Sequence, residues 1–323
     1  MGIIENNLVE VPNVEGDLLT HILSPNNMNL AYKRVVRNAG SGGIDGMEAK
    51  ELLPYLRSHK EELVKSLADG KYRPNPVRRV EIPKDNGKKR PLGIPTVVDR
   101  LVQQSIAQVL QPLYEPQFSS SSFGFRPYRG AHQALRSAQC IINEGNRFCI
   151  DLDLEQFFDN VNRDKTGTGT VSGKKFLGYT FYFDKEGKCQ LTLHPKTIEK
   201  LKLKLKKLTS RSNGMGYAQR KEALNLFIRG WVGYYKLARM KTILGRIDSW
   251  LRRRIRMCIW KSWKNPRTRI ANLIKCGVPK WQAQRHGWTK GYWRAAGMPD
   301  CARAMSNSNL YRAGYRCLMD YYV

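Results

Sequence analysis

The basic residues of this 323-residue chain are concentrated in its second half, which limits what that half can fold into. Residues 1–165 carry 22 basic and 20 acidic side chains, whereas residues 166–323 carry 34 basic and 7 acidic ones, a net charge of +27. Lys and Arg also solvate ordinary helices, but solvated surfaces usually mix both signs. The second half is therefore typical of proteins that bind a polyanion, above all nucleic acid.

The seven cysteines lie far apart, with no Cys-x-x-Cys pair and an odd total. This spacing argues against a zinc ribbon and against a disulfide framework, and it indicates reduced thiols in a cytoplasmic protein. Residues 1–16 are predicted to be a loose leader. They contain no basic segment before an apolar stretch, and no apolar run in the chain reaches membrane-spanning length. We therefore expect neither secretion nor a membrane anchor.

The spacing of apolar residues predicts a mixed first part and an all-helical remainder. The predicted helices of the first part cover residues 17–38 (two short helices), 51–68, 97–113 and 131–143. Strands are predicted at residues 78–83 and 90–95 around an Asn-Gly turn, at 148–154 as a buried strand, and at 176–183 and 188–194 as a hairpin. The glycine-rich segments 39–43 and 166–173 are predicted to be a flexible turn and a linker. After Pro195 only basic helices are predicted, including 198–208, 222–235 and 246–263.

Asp151 and Asp153 are candidates for metal chemistry, because they lie two residues apart in an apolar segment and alternate residues share one face of a strand. Phosphoryl transfer by two Mg²⁺ ions requires converging carboxylates. The alternative is a structural pair of carboxylates neutralised by Lys or Arg, because buried charges are costly when they are unpaired.

Lys84 and Arg90 flank the predicted Asn-Gly turn and are placed as a phosphate clamp would be. Taken alone this motif is weak, since most basic hairpins are simply solvated turns. Aromatic residues also alternate with cations in the C-terminal half, around Trp231 and around Trp260. Such alternation provides phosphate contacts and stacking surfaces for RNA, although the tryptophans are equally suited to a core.

Six short motifs follow one another in a fixed order from residue 72 to residue 235. They are Tyr72-Arg73-Pro74 leading into Val80-Glu81-Ile82-Pro83-Lys84; Arg90-Pro91-Leu92-Gly93-Ile94-Pro95 with Asp99-Arg100 and Gln103-Gln104; Ser122-Phe123-Gly124-Phe125-Arg126-Pro127; Asp153-Leu154-Glu155-Gln156-Phe157-Phe158-Asp159; Phe176-Leu177-Gly178-Tyr179; and Leu224-Asn225 with Ile228-Arg229-Gly230-Trp231 and Tyr234-Tyr235. In this order they resemble group II intron reverse transcriptases, especially the compact bacterial class without an endonuclease domain.

The resemblance implies an α+β fold of the right-hand polymerase kind. It implies fingers at residues 17–147, a palm at 148–194 and a helical thumb that doubles as the maturase surface at 195–323. It also implies that Asp153 is the first metal-binding carboxylate, that Phe158 screens the sugar 2′ position, and that Lys84 and Arg90 contact the incoming triphosphate. Mg²⁺ is the cofactor expected of the family.

One departure from the family pattern concerns the palm. The family continues past Asp159 to a Tyr-x-Asp-Asp turn that supplies the remaining metal carboxylates, and this sequence contains no Asp-Asp pair. A second Asn-x-x-Lys segment is also missing, so an internal deletion with its junction near residues 165–175 is predicted. Natural decay, engineering and assembly from fragments would each explain it. One aspartate cannot clamp two metal ions about 4 Å apart, so we expect polymerase activity to be lost.

The sequence therefore predicts a maturase-type protein that binds group II intron RNA and supports its folding and splicing, with target DNA reached through the ribonucleoprotein. The predicted RNA-binding residues are Lys200, Lys204, Lys207, Arg229, Arg252, Arg253, Arg256 and Lys261. One alternative is an active RNA-directed DNA polymerase whose missing palm segment is absent only from this sequence. Another is a non-specific basic scaffold for RNA. The chain contains no paired cysteines or His-Asn-His cluster, so protein-catalysed cleavage of target DNA is not expected.

Overall fold

A computed structural model places residues 17–83, 87, 89–155, 160–161 and 167–322 of the chain. Its internal contacts separate two units, with the boundary between Ser122 and Phe123. Both units combine helices with small antiparallel sheets, which confirms the predicted α+β class. The division into fingers, palm and thumb stays a prediction.

The described part of the first unit contains helices and one β-hairpin. They are α1 (Leu18–Leu23), α2 (Pro25–Asn38), α3 (Leu52–Ala68), β1 (Arg78–Pro83), β2 (Lys89–Ile94) and α4 (Val97–Tyr114). Single turns of 3-10 helix at Ala49–Glu51 and Glu115–Gln117 precede α3 and follow α4. The hairpin is antiparallel, with Arg78 opposite Ile94 and Pro83 opposite Lys89. These elements confirm the helices and the hairpin predicted for residues 17–113.

The core of the first unit lies among α2, α3 and α4, and a buried carboxylate fixes the start of α4. The hydroxyl of Thr96 accepts a hydrogen bond from the Asp99 amide at 3.1 Å, which caps the helix. Asp99 is only 3% exposed and accepts from the hydroxyls of Thr96 (2.6 Å) and Tyr72 (2.5 Å). Burial and this carboxylate raise the pKa of Tyr72. The segment before β1 is thereby tied to α4.

The glycine-rich turn at residues 39–43 is packed against α4, and its predicted flexibility stays a prediction. The Arg100 guanidinium donates to the carbonyls of Ala39 at 3.3 Å and Ser41 at 2.9 Å. Gly43 is buried, and a Cβ at that position would lie 2.6 Å from Cα of Thr96. Glycine is required here because the two backbones approach too closely for a side chain.

The second unit contains short strands between one helix and a long helical region. Its first elements are α5 (Ala131–Asn143), β3 (Phe148–Asp151), β4 (Leu154–Glu155), β5 (Asn160–Val161), β6 (Gly167–Thr170), β7 (Lys175–Phe176), β8 (Tyr179–Phe183) and β9 (Cys189–Leu193). The helices that follow are α6 (Pro195–Leu208), α7 (Tyr217–Tyr235), α8 (Lys241–Ser262), α9 (Pro266–Lys275), α10 (Lys280–Gly287), α11 (Tyr292–Ala296), α12 (Pro299–Ala304), α13 (Asn307–Arg312) and α14 (Met319–Tyr322).

Strands β7, β8 and β9 form an antiparallel sheet whose apolar residues share one core with α6, α7 and α8. Tyr179 of β8, Leu205 of α6, Ile228 of α7 and Leu251 of α8 are each completely buried at 0% exposure. The predicted helices of this region are confirmed, although α6, α7 and α8 begin three to five residues earlier than predicted. No helix among the described residues is long and apolar enough to cross a membrane.

Strand β3 is exposed, so the prediction of a buried strand at residues 148–154 was wrong. The side chains of Phe148 and Ile150 are 78% and 71% exposed. The segment 166–173, predicted to be a linker, instead contributes β6, which pairs with β3 in antiparallel register from Phe148 opposite Thr170 to Asp151 opposite Gly167. A partner strand of Gly and Thr offers no large side chains to cover β3, which explains the exposure.

Candidate nucleic-acid interface

Helix α6 presents a row of lysines along one flank. Pro195 occupies its first turn, and the His194 side chain accepts a hydrogen bond from the Lys196 amide at 3.2 Å, so the start of the helix is fixed. Leu201 and Leu205 are buried on the inner face. Spacings of four and three residues place Lys200, Lys204 and Lys207 on one side of that buried stripe. All three were predicted to bind RNA, and all three are exposed.

Two lysines of this flank line a groove of about 400 Å³ that also involves β7 and α7. The amines belong to Lys175, Lys200 and Lys204, while the aromatic lining comes from Phe227, Trp231 and Tyr235. Rings of Trp231 and Tyr235 are tilted against each other with centroids 4.6 Å apart. Cationic groups beside aromatic rings suit a phosphate backbone with its attached bases.

Gly178 shapes the groove because the turn between β7 and β8 passes directly over Tyr235. It has a φ of +86°, and a Cβ there would lie 2.5 Å from the Tyr235 hydroxyl oxygen. The Tyr179 hydroxyl next to it donates to the Tyr234 carbonyl at 2.6 Å, which ties β8 to α7. Burial raises the pKa of Tyr179, so this hydroxyl stays protonated. The Phe-Leu-Gly-Tyr motif therefore holds the groove together.

Helix α8 carries a second basic run, and its guanidinium groups are directed at backbone carbonyls. Arg253 donates to the Trp293 carbonyl at 3.2 Å, and its guanidinium carbon lies 4.3 Å from the centre of the Trp293 ring. Arg256 donates to the Met305 carbonyl, the C-cap of α12, at 2.9 Å. Lys261 donates to the Arg211 carbonyl. Burial lowers the pKa of Arg256, as expected for a cation held inside the fold.

Arg254, which the sequence analysis did not select, makes the most extensive of these contacts. It donates to the Thr209 hydroxyl at 2.6 Å, to the Thr209 carbonyl at 3.0 Å and to the Lys206 carbonyl at 3.1 Å. Thr209 is the C-cap of α6, so Arg254 satisfies the free carbonyls at the end of that helix and complements its dipole. No sequence signal separates Arg254 from its basic neighbours, because the run is continuous.

Two further predicted residues differ in their surroundings. Arg229 is exposed on α7. Arg252 is half-buried beside Asp248, a completely buried carboxylate that accepts the amides of Leu318 at 2.8 Å and Met319 at 2.9 Å. Desolvation raises the pKa of Asp248, and these amides and Arg252 partly oppose that effect. The structure therefore separates the predicted set into an outward group on α6 and α7 and an inward group on α8.

Carboxylates are scarce around the cations of α8 and the helices that follow it, and those present have internal partners. Between residues 241 and 322, all described, the acidic residues are Asp248, Asp300 and Asp320. Asp300 is paired with His286, and Asp320 accepts the Cys317 amide at 2.7 Å. Over the described stretch 201–322, no Lys or Arg lies within 4.0 Å of a carboxylate. Lys204, Lys207 and Arg229 of the outward group lie within this stretch, so they can contact an external anion.

The predicted nucleotide and metal residues are only partly described. Lys84 and Phe158 lie outside the described residues. Arg90 is exposed on β2 of the first unit, and Asp153 is half-buried in the second, so their predicted convergence on one nucleotide stays a prediction. Strand β3 ends at Asp151, so Asp151 and Asp153 do not share one continuous strand as predicted.

The described donors do not fit a two-ion Mg²⁺ site. Such a site requires carboxylates that converge from several segments. Asp151 is exposed, Asp153 is half-buried, and the two are separated by the break between β3 and β4. Within the described ranges, no group of three or more His, Cys, Asp and Glu side chains is placed to hold a metal ion.

Two lysines of the groove, Lys200 and Lys204, were predicted from their spacing, but part of the groove lining was not predicted. Lys175 and Phe227 were not selected, because nothing in the pattern brings the β7–β8 turn against α6 and α7. Trp231 was left open between core and RNA contact. It is half-buried and lies at the groove, so its ring packs on the core and also lines the opening.

Two family models match successive parts of the chain. Residues 82–168 match the family model for reverse transcriptase (RNA-dependent DNA polymerase), and residues 198–277 match that for the group II intron maturase-specific domain. The second match runs from α6 through α9 and includes Lys200, Lys204 and Lys207.

Several curated relatives align with part of the chain. Protein YkfC of Escherichia coli is 38% identical over 130 residues, which is 39% of this chain and 34% of the relative. Group II intron-encoded protein LtrA of Lactococcus lactis is 35% identical over 168 residues, 50% of this chain and 26% of LtrA. A putative COX1/OXI3 intron 1 protein of Saccharomyces cerevisiae is 27% identical over 191 residues, 54% of this chain and 22% of that protein.

The alignments thus span about a third or less of the relatives' own length. Two family models in the expected order, together with the LtrA alignment, agree with the six motifs and with the basic helical half. The chain thus joins a segment similar to reverse transcriptase (RNA-dependent DNA polymerase) to a segment similar to the group II intron maturase-specific domain.

Proposed function

We propose that the chain is a maturase that binds the structured RNA of a group II intron in the bacterial cytoplasm and stabilises its splicing-competent fold. The observation that carries this proposal is the lysine flank of α6, which borders a groove with an aromatic lining. Phosphates would contact the lysines, and the rings would contact sugars or bases. Target DNA would be reached through the RNA–protein complex.

The right-hand layout fits this proposal. Residues 17–147 would form fingers, 148–194 a shortened palm, and 195–323 a thumb whose basic helices serve as the maturase surface. The match to the maturase-specific domain begins inside α6 at residue 198, so the lysine flank lies within the matched segment. The similarity to LtrA, a group II intron-encoded protein, supports the same RNA class.

The test exploits the two flanks of α6. Lys204→Gln with Lys207→Gln removes two charges from the groove side, and Lys202→Gln with Lys206→Gln removes two charges from the opposite side of the same helix. Each lost phosphate contact lowers the slope of log K against log salt by about 1. We expect the first pair to weaken binding of intron RNA and to reduce that slope by about 2, while the second pair leaves the slope close to that of the unsubstituted chain.

Equal losses from both pairs would contradict a defined interface and would favour a non-specific basic scaffold. The same distinction appears in specificity. At matched salt the maturase should bind intron RNA at least ~1,000-fold more tightly than a random duplex, whereas a scaffold binds both alike. Filter binding with the two RNAs at several salt concentrations measures both quantities.

We further propose that this chain alone does not polymerise DNA, because its described carboxylates do not converge. Asp153 would be the single remaining metal ligand of the family site, with Lys84, Arg90 and Phe158 as its nucleotide contacts. Primer extension on an RNA template with Mg²⁺, using Asp153→Ala as the control, tests this. Synthesis that Asp153→Ala abolishes would support the alternative of an active polymerase whose palm is completed by residues absent from this sequence.

A further inference from the structure

Helix α10 and the residue that caps its C-terminus expose two tryptophans, Trp281 in the first turn and Trp288 directly after Gly287. Trp281 and Trp288 are 63% and 66% exposed, whereas Ala283 is completely buried and Gly287 is also buried. At about 100° per residue, positions 281 and 288 lie within about 20° of each other around the helix axis. Both rings therefore project from the middle of the solvent-facing side. Most exposed apolar residues occur singly, so two tryptophans in line form an unusual patch.

The helix that carries them is held firmly. Gly287 packs so closely on α9 that a Cβ would collide with the side chain of Ile270. His286 is paired with the buried Asp300 at the start of α12. Arg303 also donates to the Gln282 side chain at 3.4 Å. The backbone positions of the two tryptophans are thus fixed before any ligand arrives, which lowers the entropic cost of binding to them.

The surroundings of the tryptophans are cationic. Arg285 is exposed and lies between them along the helix, and Lys280, Lys290 and Arg294 are exposed nearby in sequence. Asp300 is the single acidic residue from position 249 to position 319, and it is 3% exposed and paired with His286. No exposed carboxylate therefore competes for these cations in this described segment, and the charge of the surface is complementary to a polyanion.

We infer that the exposed face of α10 binds an unpaired segment of RNA, with bases stacked on Trp281 and Trp288 and phosphates held by Arg285 and its basic neighbours. This inference rests on the proposed maturase function. It adds a second contact surface, beyond residues 198–277 of the maturase-specific match, and a distinct substrate form, since α6 is proposed to bind structured RNA.

The spacing of the rings favours unpaired over paired RNA. The rise over seven helical residues separates the two tryptophans by about 10 Å. Two bases stacked between the two rings would span three stacking intervals of about 3.4 Å each, which is the same distance. Bases within a duplex are already stacked on one another and paired, so their faces cannot reach flat side chains, whereas unpaired bases can turn outward onto aromatic rings.

The experiment compares binding of two RNAs by the full chain. One is an unstructured A-rich RNA of about 10 nucleotides, and the other is a blunt-ended hairpin with a stem of about 10 base pairs and a minimal loop, so that most of its bases are paired. The test variant combines Trp281→Ala with Trp288→Ala. A second variant combines Trp281→Tyr with Trp288→Tyr and keeps flat rings. The control is Leu226→Ala, which removes an apolar side chain of 64% exposure from α7. Circular dichroism and thermal unfolding verify that each variant is folded.

We expect the double alanine variant to bind the unstructured RNA roughly 10-fold or more weakly. Its log K against log salt should keep the slope of the unsubstituted chain, because stacking neutralises no phosphate. Arg285→Gln should instead lower that slope by about 1. The double tyrosine variant and Leu226→Ala should bind nearly normally, and hairpin binding should change little in every variant except Arg285→Gln.

Two results would overturn the inference. One is unchanged binding of unstructured RNA by the double alanine variant, or an equal loss with the hairpin. The other is tryptophan-dependent binding to anionic phosphatidylglycerol vesicles without tryptophan-dependent binding to RNA, which would assign the face to a lipid surface. A chain that binds intron RNA normally but lacks the stacking effect would refute this inference alone. A chain that fails to discriminate intron RNA would refute the proposed function.

Discussion

Helices α6 and α8 are both rich in cations, yet they use them in opposite ways. The lysines of α6 project outward beside a groove, whereas Arg253, Arg254 and Arg256 of α8 turn inward and donate to the carbonyls of other helices. Counting charge along the sequence cannot separate these roles. The difference shows that the burial of the helix carrying a cation, rather than the density of cations, decides whether that cation faces an external anion.

Burial explains the division. Helix α6 has one buried stripe, so most of its circumference is free. Helix α8 runs through the core, and its last turns from Met257 to Trp260 are buried on every side. An arginine side chain that extends from such a helix contacts other parts of the protein before it reaches solvent. Because carboxylates are scarce, the available acceptors are the free carbonyls at helix ends, where a positive charge also complements the helix dipole.

The largest expected effect concerns Arg254. Arg254→Met retains much of the apolar stem but removes three hydrogen bonds and leaves the C-terminal carbonyls of α6 without this donor. We expect the free energy of unfolding to fall by about 2–4 kcal/mol. Urea denaturation measures this loss. A change below about 0.5 kcal/mol would break the distinction between the two helices, because Arg254 would then behave like a surface cation.

Arg256 should give the next largest effect. Arg256→Gln loses the bond to the Met305 carbonyl at 2.9 Å and the weaker contact with Asn307 at 3.3 Å. We expect a loss of about 1–2 kcal/mol in the free energy of unfolding. At temperatures where the variant is folded, we expect only a small loss of affinity for intron RNA, because Arg256 acts on RNA through the long-range field and makes no phosphate contact. A reduced salt dependence of RNA binding in the folded variant would instead return Arg256 to the outward group.

Asp248, which lies beside Arg252 on α8, should make the free energy of unfolding depend on pH. Its pKa is raised above 3.8 by desolvation, so the folded chain holds this proton more tightly than the unfolded chain. The contribution of Asp248 to stability is then fully present below the ordinary Asp pKa and is lost as the pH rises through the raised value. Asp248→Asn lacks this titration. The free energy of unfolding of the unsubstituted chain minus that of Asp248→Asn should therefore fall as the pH rises from acid to neutral. A constant difference would contradict the assignment.

The smallest expected effect on stability is that of the outward lysines. Lys204→Gln with Lys207→Gln should change the free energy of unfolding by less than about 0.5 kcal/mol, and reduced repulsion favours a slight gain. The same pair is expected to weaken RNA binding. A loss of stability comparable to that of Arg254→Met would mean that α6 also uses its lysines internally, and the two helices would no longer differ.

Much of the fold could be predicted because, in most elements, the spacing of apolar residues agrees with the positions of turn and cap residues. The helices at residues 17–38 and 97–113 have clear apolar stripes, and the hairpin at 78–94 has alternation with a turn signal. The errors arose where tertiary pairing overrides composition. Residues 167–170 alternate Gly and Thr, a pattern that resembles a linker, and they become a strand only because Phe148–Asp151 pairs with them.

The candidate interface was predictable to the extent that helical spacing carries it. The three lysines of α6 follow from spacings of four and three residues. The groove beside them does not, because it depends on a turn held by Gly178 against Tyr235. The inward role of Arg253 and Arg256 was also hidden, since their acceptors lie about 40 to 50 residues away in sequence. The exposed pair Trp281 and Trp288 likewise required knowledge of which face of α10 is buried.

The carbonyl acceptors of the inward arginines have one more consequence. A carbonyl is a dipole without net charge, so Arg253, Arg254 and Arg256 cross-link the fold and still contribute their full charge to the field outside it. Had carboxylates served as acceptors, each contact would have cancelled a charge. Side chains that never touch RNA would thus still accelerate its diffusional encounter with the protein, so that cohesion of the fold and long-range steering of the ligand come from the same residues.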